Sequence, residues 1–103
     1  MKVYWANVEF DIVNPAAWED CVGGFVYLFF QATDVLEAIP KIREALKEED
    51  LSLRAIEFIS PYEDFTWADE EDRALYDGLA DEARTGAGVV WDEIAAYESR
   101  DET

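Results

Sequence analysis

The sequence predicts an α+β domain, built as a two-layer sandwich in which a four-stranded mixed sheet carries two helices on one face. Three observations predict this fold. Residues 25–30 are six consecutive apolar residues that follow Gly23 and Gly24, as in a central strand. Residues 2–13 alternate like a strand, and residues 34–48 repeat apolar side chains at helical spacing. The rest of the chain adds a strand, a helix and a strand, which gives the order ββαβαβ.

The first two strands differ in how their faces are composed. In residues 2–13 one face is apolar, whereas the other is mostly polar. In the second strand both faces are apolar. We therefore expect helices to cover one face and a surface from outside the monomer to cover the other. The faces of the second strand are Phe25, Tyr27 and Phe29 on one side, and Val26, Leu28, Phe30 and Ala32 on the other. Residues 16–22 between the strands form either one helical turn or an irregular loop.

The first helix begins at Asp34, whose side chain caps free backbone N–H groups while Glu37 reaches back, as in a capping box. Pro40 lies inside this helix, where we expect a kink near Leu36 rather than a later helix start. The third strand covers residues 53–60. Its alternation slips near Arg54, which indicates either a bulge or a twisted entry into the strand. The helix before this strand predicts a parallel crossover from the second strand.

The second helix begins at Asp69, buries Leu75, Leu79 and Ala83, with Tyr76 at the side, and ends at Thr85-Gly86. Residues 88–98 suit either a strand or a helix, and we predict a fourth strand because two helices need a wide sheet. The fold resembles ferredoxin-like domains in architecture only, a likeness that carries no function. Residues 1–98 are predicted to form one domain, with residues 99–103 as a charged tail.

The chain is strongly acidic. It has 25 acidic and 8 basic residues, no histidine, and a net charge of −17. Residues 1–62 carry a net −6 and residues 63–103 a net −11. Nucleic acids and anionic membranes attract basic proteins, so we expect neither as a partner. The early acids Glu9 and Asp11 do not suit a signal peptide, and the apolar runs are too short to span a membrane, so we expect a cytoplasmic protein.

No pattern in the sequence indicates catalysis. The absence of histidine excludes Ser-His-Asp and Cys-His chemistry as well as imidazole metal sites. Residues 69–72 (DEED) lack the spacing of a calcium loop and are typical of a solvated helix start. Cys21 lies beside Glu19 and Asp20, whose negative charge disfavours the thiolate. We therefore predict no catalytic residue, no metal and no cofactor.

Two surfaces are candidates for contact with another protein. The first combines aromatic anchors with acids that would steer a basic partner, although its rings could instead fold over the core. The second is the outer face of the sheet, which a homodimer would cover. The partner-binding candidates are Tyr62, Glu63, Asp64, Phe65, Trp67, Asp69 and Glu70; the dimer candidates are Trp5, Asn7, Phe25, Tyr27 and Phe29.

The sequence favours a non-enzymatic interaction module that masks a basic partner surface, as an inhibitor or immunity-type protein does. The alternative is a small-molecule-binding or enzymatic homodimer with a pocket between sheet and helices, formed by Tyr4, Tyr27, Tyr97 or buried acids. High acidity also serves solubility or adaptation to salt, so it does not by itself decide between these hypotheses.

Overall fold

The computed structural model describes residues 1–66, 69–86 and 88–98, which form an α+β fold with one antiparallel sheet and two α-helices. The five strands of these residues are β1 (Lys2–Ile12), β2 (Gly23–Ala32), β3 (Leu51–Pro61), β4 (Val90–Trp91) and β5 (Ala95–Tyr97). The helices are α1 (Val35–Glu48) and α2 (Glu70–Thr85), and short 3-10 turns cover Pro15–Trp18 and Tyr62–Asp64. The predicted tail at 99–103 lies outside the described residues.

The sheet has β1 at its centre. Strand β3 lies on one side of β1 and β2 on the other, and both β4 and β5 pair with the outer edge of β2. Every pairing in the described part of the chain is antiparallel, so the prediction of a mixed sheet was wrong. Strands β2 and β3 do run in the same direction, but β1 lies between them. The segment predicted as one fourth strand contains two short strands, β4 and β5.

The two helices lie on opposite faces of the sheet, which corrects the predicted two-layer arrangement. Helix α1 packs on the face formed by the even-numbered residues of β1, where Val8 and Phe10 are fully buried against Ile42 and Leu46. Helix α2 packs on the other face. There Ala80 and Ala83 lie over Val3, Trp5 and Phe29. The second apolar face of β2 is therefore largely covered by the chain itself.

Capping residues start both helices as the sequence predicts. The Asp34 carboxylate accepts a hydrogen bond from the N–H of Glu37 at 2.9 Å, and Glu37 accepts one from the N–H of Thr33 at 2.9 Å. The hydrogen bond from Thr33 is the main cause that lowers the pKa of Glu37 below its ordinary value of 4.5. The nearby positive charge of Lys41 adds to the effect. Helix α1 therefore begins before Pro40 and continues through it.

Helix α2 ends at Thr85 and Gly86, as predicted, but without a glycine in the left-handed conformation. Its last turn is closed by the N–H of Gly86, which donates to the carbonyl of Glu82, but Gly86 has φ −100° and is extended rather than left-handed. Leu75, predicted to be buried, is 54% exposed because α2 turns its small residues Ala80 and Ala83 toward the sheet. The contact surface of this helix is therefore narrower than its apolar pattern indicates.

Strand β3 forms an outer edge of the sheet and carries two bulges. Its register with β1 shifts between Asn7 and Val8 and again between Glu9 and Phe10, so Glu57 and Arg54 are extra residues with no opposite partner. The predicted bulge at Arg54 is confirmed. The second bulge separates Ile56, which packs with the α1 face, from Phe58, which packs with the α2 face. Regular alternation along the strand would instead place these two side chains on one face.

Gln31 joins both helices to the sheet. Its side-chain amide donates to the carbonyls of Ala83 at 3.0 Å and Arg84 at 2.7 Å, at the end of α2. Its backbone carbonyl accepts a hydrogen bond of 2.7 Å from the Lys41 ammonium of α1. One residue of β2 thus satisfies carbonyls that the last turn of α2 leaves unpaired.

Replacing Gln31 with alanine is expected to lower the free energy of unfolding by about 1 kcal/mol, because the carbonyls of α2 lose their donor. Gln31→Glu has nearly the same size but sets a carboxylate against carbonyl oxygens at the negative end of the helix dipole. We expect it to be less stable than the alanine variant in urea titrations at neutral pH. If Gln31→Glu instead matches the wild type, the amide contacts do not stabilise α2.

Candidate protein-binding site

The predicted partner-binding surface begins where β3 ends. Pro61 leads into the turn Tyr62–Asp64, which is closed by the N–H of Phe65 donating to the carbonyl of Tyr62 at 3.1 Å. This turn points Tyr62 inward, where it is only 8% exposed, and leaves Glu63 and Asp64 in solvent. We call the described residues 62–66 and 69–72 the acidic-aromatic segment.

The rings of the acidic-aromatic segment pack around Trp5 of β1. Tyr62 meets Trp5 edge-on with the ring centroids 5.7 Å apart, and its hydroxyl donates to Asp77 of α2 at 2.6 Å. Phe65 also meets Trp5 edge-on, at 5.0 Å, but remains 45% exposed. Tyr62 is thus a core residue, whereas Phe65 is held by the core and still presents half of its surface to solvent.

The acids of the segment lie at the start of α2. The carboxylate of Asp69 accepts hydrogen bonds from the N–H groups of Glu71 at 2.8 Å and Asp72 at 3.3 Å, so it serves the helix. Glu70, Glu71 and Asp72 are exposed in the first turn, where the positive end of the helix dipole stabilises them. Trp67, the remaining predicted residue, lies outside the described residues.

Tyr76 links α2 to the chain after β4. Its ring stacks on Phe29 at 5.9 Å and lies 6.1 Å from Trp5. Burial raises the pKa of the Tyr76 hydroxyl above 10.0, and the carboxylate of Asp92, which shares a hydrogen bond with it, raises it further. The hydroxyl therefore stays protonated and can donate to Asp92.

The predicted dimer surface is not one uncovered face. Trp5 and Phe29 are buried beneath α2, and Asn7 and Tyr27 are half-buried. Phe25, 36% exposed, packs on Tyr97 with the centroids 5.9 Å apart. Trp5 and Phe29 cannot meet a second copy unless α2 moves, which leaves Asn7, Phe25 and Tyr27 as the accessible part of the predicted interface.

Sequence reasoning missed a polar cluster beside Phe25. The Tyr97 hydroxyl donates to the Glu9 carboxylate, while Arg54 lies 3.6 Å from Glu9 and 3.7 Å from Asp11. The cluster joins β5, β1 and the bulged edge strand, elements far apart in sequence. The one feature of the sequence that pointed to this cluster was the broken alternation at Arg54.

Within residues 1–66, 69–86 and 88–98, no charged side chain is buried and no group of three or more Cys, Asp or Glu side chains is arranged to hold a metal ion. Neither α-helix of these ranges has the length and apolar character needed to cross a membrane. Comparisons with protein-family models, with curated proteins and with solved structures found no match to this chain.

Proposed function

We propose that this protein is a non-enzymatic interaction module that binds a basic protein surface through the acidic-aromatic segment, as an inhibitor or immunity-type protein masks its target. The observation that carries the proposal is the position of Phe65, half-exposed on the buried Trp5 and next to the solvent-exposed Glu63 and Asp64. A ring held in place by the core loses little conformational freedom when a partner covers it.

The surrounding charge supports this assignment. Aromatic anchors supply most of the binding energy at protein interfaces, while charges at the rim mainly raise the association rate and select the partner. With a net charge of −17, the chain attracts cationic surfaces from a distance. Residues 63–103 hold most of that charge, and they include the exposed acids of the segment.

The proposal is tested by capture from cytoplasmic extract, in keeping with the predicted location, followed by affinity measurements on the purified basic protein. Affinity is expected to fall steeply from about 0.05 M to about 0.5 M salt, because screening shortens the range of charge attraction. Glu63→Lys combined with Asp64→Lys is expected to weaken binding about tenfold or more, since like charges then face each other. Phe65→Ala should weaken it with little change in the salt dependence.

The matched control is Glu93→Lys with Glu98→Lys, two exposed acids outside the segment, which changes the net charge by the same amount. Equal losses from both pairs would mean that only the overall field matters and that the segment is not the contact surface. If no basic protein is retained and the chain runs as a dimer on a sizing column, the small-molecule-binding homodimer becomes the better hypothesis.

A further inference from the structure

A groove lies at the outer edge of β2, between α1 and the end of α2. It has a volume of about 530 Å³, within the range of about 300–1,000 Å³ typical of ligand clefts. Phe30 and Trp91, which belong to the core on the α1 face, line it together with Val89. We call this cavity the α1 groove.

One side of α1 forms the acidic wall of the α1 groove. Lys41, Glu44, Ala45 and Glu48 recur at spacings of three, four and seven residues, so they form a single stripe facing the cavity. Glu49 follows at the end of the helix. The Lys41 ammonium donates to the carbonyl of Gln31 at 2.7 Å and keeps its positive charge, so the three glutamates give this wall a net charge of −2.

A second cavity extends the groove past Trp91. It has a volume of about 340 Å³, shares Trp91 and Glu49 with the first, and adds Trp18, Leu51 and Ile94 to the lining. The two cavities together form an elongated surface with an apolar floor and an acidic side. This combination distinguishes the groove from an ordinary solvated cluster of acids.

We propose that the α1 groove binds an extended basic peptide segment of a partner protein. An arginine of that segment lays its guanidinium over the half-buried Trp91 ring, while the exposed Glu44 and Glu48 accept its hydrogen bonds. Apolar residues between the basic ones cover Val89 and the cavity beyond Trp91. The inference rests on the proposed function only in taking the partner to be basic, because no residue of the acidic-aromatic segment lines the groove.

The peptide acetyl-Leu-Arg-Leu-Arg-amide is the probe, titrated into the full chain and followed by amide and indole chemical shifts. Binding is expected to move the signals of Trp91 and α1.

Glu44→Gln with Glu48→Gln should weaken binding about fivefold, because two partly exposed charge contacts are lost. Ala45→Phe fills the cavity without changing the charge and should abolish binding. The control, Glu57→Gln with Glu98→Gln, neutralises two exposed acids outside both surfaces and should leave affinity within about twofold.

The proposal is overturned if the probe does not bind, if both neutralised pairs weaken it equally, or if its shifts map to residues 62–72. It is also overturned if spermine, which carries charge but no apolar side chains, binds as tightly as the peptide. Failure of the proposed function gives a different result: the peptide still binds the groove, but Glu63→Lys with Asp64→Lys leaves capture of the basic protein unchanged. Circular dichroism of each variant verifies that it folds.

Discussion

Replacing Trp5 with alanine is expected to lower the free energy of unfolding by about 3–5 kcal/mol, the cost of truncating a large buried ring. Trp5 is 3% exposed and lies in the central strand beneath α2. A domain of this size has about 5–15 kcal/mol of stability, so the variant loses a large share of it. Among the described residues, rings with centroids within 6.1 Å of that of Trp5 include those of Tyr27, Phe29, Phe58, Tyr62, Phe65 and Tyr76.

The large effect follows from where these rings come from. They are contributed by β2, β3, the turn after β3, and α2, so the cavity left by Trp5 opens between four parts of the chain at once. Urea titrations followed by circular dichroism measure the loss. Trp18→Ala is the matched control, because Trp18 is only partly buried and contacts Phe10 from a short turn, with the centroids 6.4 Å apart. If Trp18→Ala costs as much as Trp5→Ala, the ring cluster is not the centre of the α2 face.

Replacing Gly24 with alanine is expected to lower the free energy of unfolding by about 1–3 kcal/mol, because the added methyl group has no room. A Cβ at Gly24 would lie 2.8 Å from the carbonyl oxygen of Ala95, 2.8 Å from the ring of Phe10 and 3.0 Å from the Cα of Ala96. The backbone of β5 cannot yield without breaking its pairing with β2. We therefore expect β5 to detach, and with it the hydrogen bond from Tyr97 to Glu9.

Gly78→Ala, the same substitution at another glycine, is expected to have the opposite effect on stability. Gly78 lies inside α2, and nothing is within 4 Å of the position its Cβ would take. Alanine there should stabilise the protein by about 0.5–1 kcal/mol, since glycine costs a helix that much conformational entropy. Urea midpoints of the two variants give the comparison, and hydrogen exchange at residues 95–97 reports the state of β5. A Gly24→Ala protein with protected β5 amides would contradict the steric argument.

Features set by neighbouring residues were predictable from the sequence. The alternation of β1, the caps at Asp34 and Asp69, and the bulge at Arg54 each depend on a few consecutive residues, and the structure confirms them. The choice of face for α2 depends on contacts between distant segments. Because both faces of β2 are apolar, its sequence fits one helix on each side as well as it fits two helices and a dimer partner.

For the candidate site, too, the local features were predictable from the sequence and the long-range contacts were not. The sequence identifies Tyr62 and Phe65 as aromatic residues among acids, but their different exposure is decided by the turn that rotates Tyr62 onto Asp77. The α1 groove brings Glu44 and Glu48 together with Trp91, more than 40 residues along the chain. No local pattern in either segment indicates that they meet.

The two bulges in β3 have a consequence for how this protein behaves at high concentration. An edge strand of 11 residues is a template for intermolecular strand addition, the first step toward fibrils. In β3 each bulge interrupts the regular spacing of backbone donors and acceptors, and each places a charged residue, Arg54 or Glu57, at the interruption. A strand from another molecule therefore finds only short regular stretches to pair with, so the long edge remains compatible with a dispersed protein.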